Sequence, residues 1–200
     1  MLDFYDNVSA TRAVSTFLTA IEQDKVQLSQ KDILVLTLIS YKGVTCVPFL
    51  SKVFGCDVTP NVKNLEKFGV AKVARKEGAT KYYECTLLST SSDVFSEDSM
   101  YIFANALFNI GKYVKEYEIT SWSLLLSIVE LPLHLTKETS HVKLTLDSLK
   151  TFNGVRNNRL IHRRNLEKIG VTKAVDGKTP LHTDKPEYRL NKHAYLMGAI

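Results

Sequence analysis

The sequence predicts a mainly helical α+β fold in which one unit occurs twice in tandem. An internal repeat supports this prediction, because NLEKFGVAK at residues 64–72 returns as NLEKIGVTK at residues 165–173, with seven of nine positions identical. Each copy follows helical apolar patterns and precedes an alternating, β-prone segment. A repeat at this long spacing indicates two copies of a foldable unit, since a solenoid needs several short repeats. We therefore expect two domains, residues 1–90 and 100–200, joined by a linker at residues 91–99.

The first unit opens with two predicted helices. Apolar residues recur at helical spacing over residues 9–23, and Ser9 suits the N-cap of this leading helix. Ser29 and Asp32 match the start signal in which a serine caps a helix and an acidic residue lies three positions further on. The following run, residues 33–39, is apolar on nearly every side. It also fits a strand, but the cap favours a central, buried helix.

Two short helices and a hairpin complete the first unit. One helix over residues 47–54 ends at Gly55, and the next starts at Thr59 and Pro60, with threonine as N-cap and proline at the first helical position. Gly69 suits a left-handed cap at its end. Two short helices separated by a tight turn form a helix-turn-helix. Segments 70–75 and 81–87 flank a turn-forming tip at residues 76–80 and predict a hairpin, the wing of a winged helix.

A leading helix over residues 100–117 opens the second unit. Its apolar residues follow steps of four and three and form one stripe. The stripe consists of Phe103, Leu107, Ile110, Val114 and Tyr117. It suits packing within the domain, a homodimer contact through Phe103, Leu107, Ile110 and Val114, or both.

The rest of the second half repeats the order of the first. Thr120 and Ser121 cap an apolar helix that stops near Pro132, and a loop at residues 134–141 follows. Helices are predicted over residues 144–152 and over residues 159–169, the second ending at Gly170, with a turn after the first at residues 153–154. The second wing has strands at 171–175 and 188–190 around a polar tip at 176–185.

The distribution of charge differs between the halves. The chain carries a net charge of +5, but residues 1–100 hold 11 Lys and Arg against 12 Asp and Glu, whereas residues 101–200 hold 15 against 9. Positive charge gathered in one part of a protein is typical of nucleic-acid binders, because neutralised phosphates release counterions. A solvated, lysine-rich face fits the same numbers. Charge alone leaves both interpretations open.

Other classes of protein find little support. The chain has no apolar run of about 18 residues and no secretory signal pattern, so we expect a cytoplasmic protein, nucleoid-associated if it binds DNA. Cys46, Cys56 and Cys85 form no CxxC pair, and the histidines show no metal spacing, which predicts neither a disulfide framework nor a metal site. Phosphate loops, nucleotide-binding glycine motifs and nucleophile elbows are absent from the sequence. We therefore expect no cofactor and no enzymatic activity.

The residues that suit DNA contact in the first unit lie on its second short helix and on its wing. If Val62, Leu65 and Phe68 are buried, helical geometry turns Lys63 and Lys67 outward, with Asn64 beside them. Lysine can read guanine, and asparagine can pair with adenine through both ends of its amide. A plain exposed helix face is the alternative. On the wing, the basic residues suited to contacts with the DNA backbone are Arg75, Lys76 and Lys81.

The equivalent helix of the second unit, VRNNRLIHRRNLEK, is much more basic. The same register places Arg164 and Lys168 outward, and the segment supplies both phosphate clamps and base readers. Its further candidate residues are Arg156, Asn157, Asn158, Arg159, His162 and Arg163. The register also turns Leu160 outward, so either the helix starts later or Leu160 contacts a thymine methyl or a protein. On the wing tip, Lys178, His182 and Lys185 suit backbone contacts.

The segments LSQKDILVLTLI, VTCVPFLSKVFG, NVKNLEKFGVAKV and KYYECTLLS between Leu28 and Leu88 resemble winged-helix regulators of the multiple-antibiotic-resistance (MarR) type. The resemblance implies that the second helix of the helix-turn-helix enters the major groove and that the wing touches the adjacent backbone or minor groove. Arg75, Lys76 and Lys81 match the charged wing residues of that family only loosely. Typical members carry one such unit and dimerise through long terminal helices. Two units in one chain instead resemble plasmid and phage replication initiators.

These observations predict a sequence-specific, double-stranded DNA-binding transcription regulator. The second unit is expected to be the main reader, and the first to be a second reader or a dimerisation lobe. Replication initiation at repeated origin sites is one alternative. Because winged helices also serve as scaffolds and the first half is near neutral, a protein-interaction module acting on a transcription or replication complex is another.

Overall fold

The computed structural model describes residues 5–22, 28–88, 94–134, 141–143, 172–174 and 187–190. These residues form seven α-helices, one 3-10 turn and two small antiparallel sheets. No helix within the described ranges has both the length and the apolar character needed to cross a membrane. The prediction of a mainly helical α+β fold is confirmed at this level.

Helices α1 (Asn7–Glu22) and α2 (Gln30–Lys42) pack against each other. α1 begins before its predicted start, and the predicted cap at Ser9 is wrong. The Asp6 carboxylate instead accepts a hydrogen bond from the backbone N–H of Ser9 at 2.8 Å. α2 has the predicted capping box of Ser29 and Asp32, and its residues 32–41 are all buried. The strand alternative for this segment is therefore wrong.

Arg12 of α1 closes the far end of α2. Its Nε donates to the carbonyl oxygen of Ser40 at 2.6 Å, and its Nη2 donates to that of Tyr41 at 3.0 Å. The last carbonyls of a helix have no partner within the helix and carry partial negative charge, so a guanidinium there stabilises them. Gly43 then turns the chain with a positive φ of 72°.

A helix-strand-helix-helix-hairpin order follows from α2 onward. The further elements are β1 (Val44–Cys46), α3 (Val47–Phe54), α4 (Thr59–Lys67), β2 (Ala71–Glu77) and β3 (Thr80–Cys85). The three strands form an antiparallel sheet in the order β1-β3-β2. The sequence did not predict β1, because three residues are too few to show alternation. The two short helices and the hairpin are confirmed.

Residues 97–116 form two helices where one was predicted. α5 (Glu97–Phe108) is followed by α6 (Ile110–Glu116), with a break at Asn109. The Asn109 side chain donates to the Asn105 carbonyl oxygen at 2.8 Å, and asparagine that bonds the preceding turn competes with the helical backbone. α5 begins inside the predicted linker, because the Ser96 hydroxyl accepts from the backbone N–H of Ser99 and caps the helix.

α7 (Trp122–Glu130) follows α6 and has the predicted cap. The Ser121 hydroxyl accepts a hydrogen bond from the backbone N–H of Leu124 at 3.3 Å. A 3-10 turn at Leu131–His134 continues from α7 and contains Pro132, where the sequence predicted the helix to stop. α7 packs against both α2 and α5.

One hydrophobic cluster joins the helices on both sides of the predicted linker. Phe17 of α1 meets Phe103 of α5 edge to face, with ring centroids 5.5 Å apart. Tyr41 and Phe108 form a similar pair at 5.0 Å. Such aromatic pairs add about 0.5–1.5 kcal/mol beyond burial of their area. The helices expected to open the second unit therefore share a core with the first.

The apolar stripe of α5 and α6 lies within this core. Phe103, Leu107 and Ile110 are fully buried, and Val114 is partly buried against the same cluster. The stripe therefore packs within its own chain, which is one of the two roles predicted for it. A homodimer contact through the same residues stays a prediction.

The second sheet repeats the strand order of the first. It consists of β4 (His141–Lys143), β5 (Thr172–Ala174) and β6 (Glu187–Leu190), in the order β4-β6-β5. β5 and β6 pair as the predicted second wing requires, whereas β4 lies where the sequence predicted a loop. Thr172 pairs with Leu190, whereas its repeat counterpart Ala71 pairs with Cys85, so the second hairpin is longer.

Candidate nucleic-acid interface

α4 is the second helix of the helix-turn-helix arrangement, and its start is set by Asp57. The Asp57 carboxylate accepts hydrogen bonds from the backbone N–H of Thr59 at 2.9 Å and from its hydroxyl at 2.6 Å. These two bonds, with Lys31 and Lys63 nearby, lower the pKa of Asp57. The predicted cap at Thr59 is wrong, because Thr59 is already the first helical residue and Val58 holds the cap position. Pro60 lies in the first turn, as predicted.

The buried side of α4 is narrower than predicted. Val62 and Leu65 are buried, but Phe68 is 38% exposed. Phe68 is the C-cap residue, and its backbone N–H still donates to the Asn64 carbonyl oxygen at 3.0 Å. The helix ends there, and Gly69 turns the chain with a positive φ of 70°. The left-handed glycine expected at this end is confirmed.

Lys63 and Lys67 are exposed on α4, in agreement with the helical register. Neither forms an ion pair with another residue of the described ranges. Both line a shallow open depression of about 580 Å³ beside the start of α2. Its other lining residues are Ser29, Asp32, Pro60, Asn61 and Asn64. The depression therefore combines two cationic side chains with two amides.

Asn64 is half-buried rather than free beside the lysines. Its Nδ2 donates to Asp32 Oδ2 at 2.9 Å, and the Nδ2 of Asn61 donates to Asp32 Oδ1 at 2.8 Å. Asp32 is only 2% exposed, and its Oδ2 also accepts from the backbone N–H of Ser29 at 3.0 Å. A buried carboxylate is costly unless it is hydrogen-bonded, and here three donors satisfy it. Asp32 thus ties the start of α2 to α4.

The wing is a two-stranded hairpin with a tight tip. β2 and β3 are joined by Gly78 and Ala79, and Gly78 has the positive φ of 58° that a two-residue hairpin turn requires. The strands extend further into the predicted tip than the sequence indicated. An irregularity between Val73 and Arg75 shifts the register, so that Arg75 lies opposite Tyr82. α4 packs against β2, which fixes the base of the wing to this helix.

The basic residues of the wing fall into two groups. Arg75 is held by Glu77 at 3.0 Å and lies over the Tyr82 ring at 4.5 Å, and Lys72 pairs with Glu84 at 3.1 Å. By contrast, Lys76 and Lys81 lie directly opposite each other on β2 and β3, and both are exposed. Like charges at opposed positions repel, and an anion between them relieves the repulsion. Lys76 and Lys81 therefore suit a phosphate contact better than Arg75 does.

Lys63, Lys67, Lys76 and Lys81 are named here the α4–wing face. They are the exposed lysines of the predicted interface that form no ion pair with a described residue. Of the acidic side chains near them in sequence, Glu77 binds Arg75 and Asp57 accepts two hydrogen bonds from Thr59. Glu66 of α4 forms no ion pair with a described residue, so the face holds four lysines against this one carboxylate. The face is therefore suited to a polyanion.

The predicted contact residues of the second unit lie outside the described residues. On the basic helix these are Arg156, Asn157, Asn158, Arg159, His162, Arg163, Arg164 and Lys168, and on the wing tip Lys178, His182 and Lys185. The helices predicted at 144–152 and up to Gly170 lie there as well. For these residues the sequence predictions stand as predictions.

Sequence reasoning missed the hydrogen bonds from Asn61 and Asn64 to Asp32. The partners are 29 and 32 positions apart, so no local pattern shows them. It also missed Lys31, which donates to the Asp57 carbonyl oxygen at 2.9 Å and lies over the Trp122 ring at 4.8 Å. Lys31 thereby links the start of α4 to α7.

The three cysteines are free and partly exposed. Burial raises the pKa of Cys85 above its usual value, which disfavours the reactive thiolate. Over the described ranges no group of three or more His, Cys, Asp or Glu side chains is arranged to hold a metal ion.

A comparison of the chain with protein-family models, with curated proteins and with solved structures finds no match.

Proposed function

We propose that this protein is a sequence-specific, double-stranded DNA-binding transcription regulator built from two tandem winged-helix units. The observation that carries the proposal is the exposure of Lys63 and Lys67 on the second helix of a helix-turn-helix, with no ion pair to any described residue. In DNA-binding helix-turn-helix proteins this helix lies in the major groove. Lysine there can contact guanine acceptors or flanking phosphates.

The wing gives a second line of support. Lys76 and Lys81 form an opposed pair near the tip of the hairpin, which packs through β2 against α4. A duplex that receives α4 in its major groove brings phosphates toward the wing. The pair then neutralises phosphate charge and releases counterions, which favours binding.

Support for a second unit comes from the sequence repeat and from the strand order. β4-β6-β5 follows the same order as β1-β3-β2, and the repeat places Lys173 of β5 where Lys72 lies in β2. The basic helix predicted at 159–169 then corresponds to α4 and carries more positive charge. In this proposal it supplies most of the affinity, and α4 supplies a second contact.

Gel-shift titrations against genomic fragments at several salt concentrations test the proposal. Each phosphate contact contributes about 0.9 to the slope of log affinity against log salt. Arg163→Ala with Arg164→Ala is expected to cause the largest loss of affinity and slope, and Lys63→Ala with Lys67→Ala a smaller loss of both. Lys42→Ala is the matched control, because Lys42 is also exposed on a helix and, by helical rise, lies about 15 Å from Asp32 along α2.

Several results would contradict the proposal. Affinity that does not fall with salt is one, and equal effects of the control and the paired variants are another. Binding of a stoichiometric protein from lysate that survives nuclease treatment, without affinity for DNA, would instead favour a protein-interaction module. Preference for directly repeated sites near an origin would favour replication initiation.

A further inference from the structure

We infer that Asp32 is a positioning residue that fixes the amides of Asn61 and Asn64 so that α4 reads a base bearing an exocyclic amino group, with adenine preferred. The inference rests on the proposed DNA binding and names what one part of that interface recognises. It starts from the bonds of both amides to the same buried carboxylate, at 2.8 and 2.9 Å.

The chemistry of the partners fixes which end of each amide faces the protein. An asparagine amide has a donor end and an acceptor end, and either can face a neighbour that offers both functions. An ionised carboxylate only accepts hydrogen bonds. Both NH2 groups must therefore turn toward Asp32, and rotation of either amide by 180° would set oxygen against oxygen. The orientation of Asn61 and Asn64 is thus determined before any ligand arrives.

The surroundings hold this orientation firmly. Asp32 is 2% exposed and sits in the capping box of α2, where the backbone N–H of Ser29 provides its third hydrogen bond. The N-terminal end of a helix favours negative charge, which stabilises the carboxylate in place. Rotation of either amide would leave a buried acceptor facing an acceptor, and unsatisfied buried polar groups are costly. α2 therefore acts as a rigid support for the polar side chains of α4.

The amide groups of Asn61 and Asn64 that do not bond to Asp32 define the ligand. Asn61 and Asn64 both line the open depression between Lys63, Lys67 and the start of α2, so their remaining groups are accessible. Each amide keeps its Oδ1 as acceptor and one of its two N–H groups as donor. Adenine offers the complement in the major groove, with an amino group at N6 and an acceptor at N7. Cytosine offers only the amino group, and guanine and thymine offer acceptors at the corresponding position.

Recognition of adenine is therefore expected at one or two positions of the half-site that α4 contacts. The lysines beside the amides contribute charge and guanine acceptor contacts but do not depend on Asp32. Loss of the amides should change base preference at a defined position, and loss of a lysine that contacts phosphate should lower affinity evenly across sequences.

The test is a selection of bound sequences from a random DNA pool, followed by competition binding on the selected site and on versions with single base-pair changes. Wild type is expected to prefer A·T at a position that Asn64→Ala no longer discriminates, with a loss of preference of about tenfold. Asp32→Asn is expected to reduce the same preference, because an amide at this position can donate as well as accept and no longer forces one orientation.

Ser121→Ala is the control for Asp32→Asn. It removes the hydroxyl that accepts from the Leu124 backbone N–H at 3.3 Å, so it weakens a helix cap outside the depression and leaves Asp32 with its two amides. We expect it to lower thermal stability without changing base preference. If Asp32→Asn fails to fold, Asn61→Ala and Asn64→Ala carry the test, because both residues are only half-buried.

The outcomes separate this inference from the proposed function. Salt-dependent DNA binding in which Asp32→Asn, Asn61→Ala and Asn64→Ala leave the preference at every position unchanged overturns the positioning role alone. Binding in which Ser121→Ala changes the preference as much as Asp32→Asn also overturns it, because a general loss of stability then accounts for the effect. Absence of DNA binding by the wild type overturns both the inference and the proposed function.

Discussion

Two regions of the molecule, the helical seam and the α4–wing face, differ in whether their side chains have partners within the protein. The helical seam is the contact of α5, α6 and α7 with α1, α2 and α3, and it is built from aromatic pairs and a close helix approach. Phe54 and Trp122, for example, lie with ring centroids 6.1 Å apart. On the α4–wing face, by contrast, four exposed lysines have no ion-pair partner among the described residues.

This difference predicts which residues determine stability and which determine binding. Burial of aromatic side chains dominates folding energetics, whereas exposed charges contribute little to folding. Variants in the helical seam should therefore unfold the protein without a specific effect on ligands. Variants on the α4–wing face should change binding at nearly constant stability. Asp32 is the exception that serves both, because it is buried and holds the amides of α4.

The largest loss of stability is expected from Phe103→Ala. Phe103 is fully buried and meets Phe17 edge to face, so its removal leaves a cavity in the helical seam. We expect a loss of about 3–5 kcal/mol in the free energy of unfolding, measured by chemical denaturation. Tyr117→Ala is the control, since Tyr117 is 44% exposed and should cost much less. Unchanged stability together with loss of a dimer in sedimentation would favour the homodimer contact predicted for this stripe.

A smaller loss is expected from Gly111→Ala at the crossing of α6 and α3. A Cβ at residue 111 would clash with the Val53 carbonyl oxygen and lie 2.9 Å from the Gly55 backbone nitrogen. Because these are backbone atoms, the two helices must move apart, at a cost of about 1–3 kcal/mol. Thermal and chemical unfolding measure it. A more stable variant would contradict this prediction. It would mean that the higher helix propensity of alanine outweighs the cost of moving α6 and α3 apart.

Lys76→Glu is expected to act in opposite directions on stability and binding. The change replaces a like-charge pair with Lys81 by an opposite-charge pair and should stabilise the hairpin by about 0.2–1 kcal/mol. DNA affinity should fall, with a salt slope smaller by about one. Lys42→Glu, at the end of α2, is the charge-matched control. Equal loss of affinity in both variants would show that net charge, and not the wing, is responsible.

The smallest expected effect is the pH dependence of the stability that Asp57 contributes at the start of α4. Hydrogen bonds from Thr59 to Asp57 lower the pKa of this carboxyl, so the folded state binds its proton less readily than the unfolded state does. The stability that Asp57 contributes is therefore present above the ordinary pKa of 3.8 and is lost as pH falls through the lower folded value. The Tm difference between wild type and Asp57→Asn should be constant near neutral pH and shrink in acid. A difference that grows in acid would contradict this sign.

The candidate site was predictable in part. Exposure of Lys63 and Lys67 followed from the helical register, because the apolar residues of α4 set which side faces the core. The sequence does not show which basic residues of the wing have an ion-pair partner. Arg75 and Lys76 look alike in sequence, yet Glu77 binds Arg75, whereas Lys76 lies opposite Lys81. The cross-strand register that decides this depends on the shift between Val73 and Arg75. Asn64 was predicted to be a free reader, and its tie to Asp32 became visible only in the packed structure.

The sequence by itself determined the features whose causes lie within one helical turn. The capping box of Ser29 and Asp32, the left-handed glycines at 55 and 69 and the cap at Ser121 all depend on neighbouring residues, and the repeat needs only the sequence. The tertiary structure alone decided the burial of the α5 and α6 stripe, the strands β1 and β4 and the fixed amides of α4. These depend on groups far apart in the chain, whose contacts exist only once the helices and strands have packed.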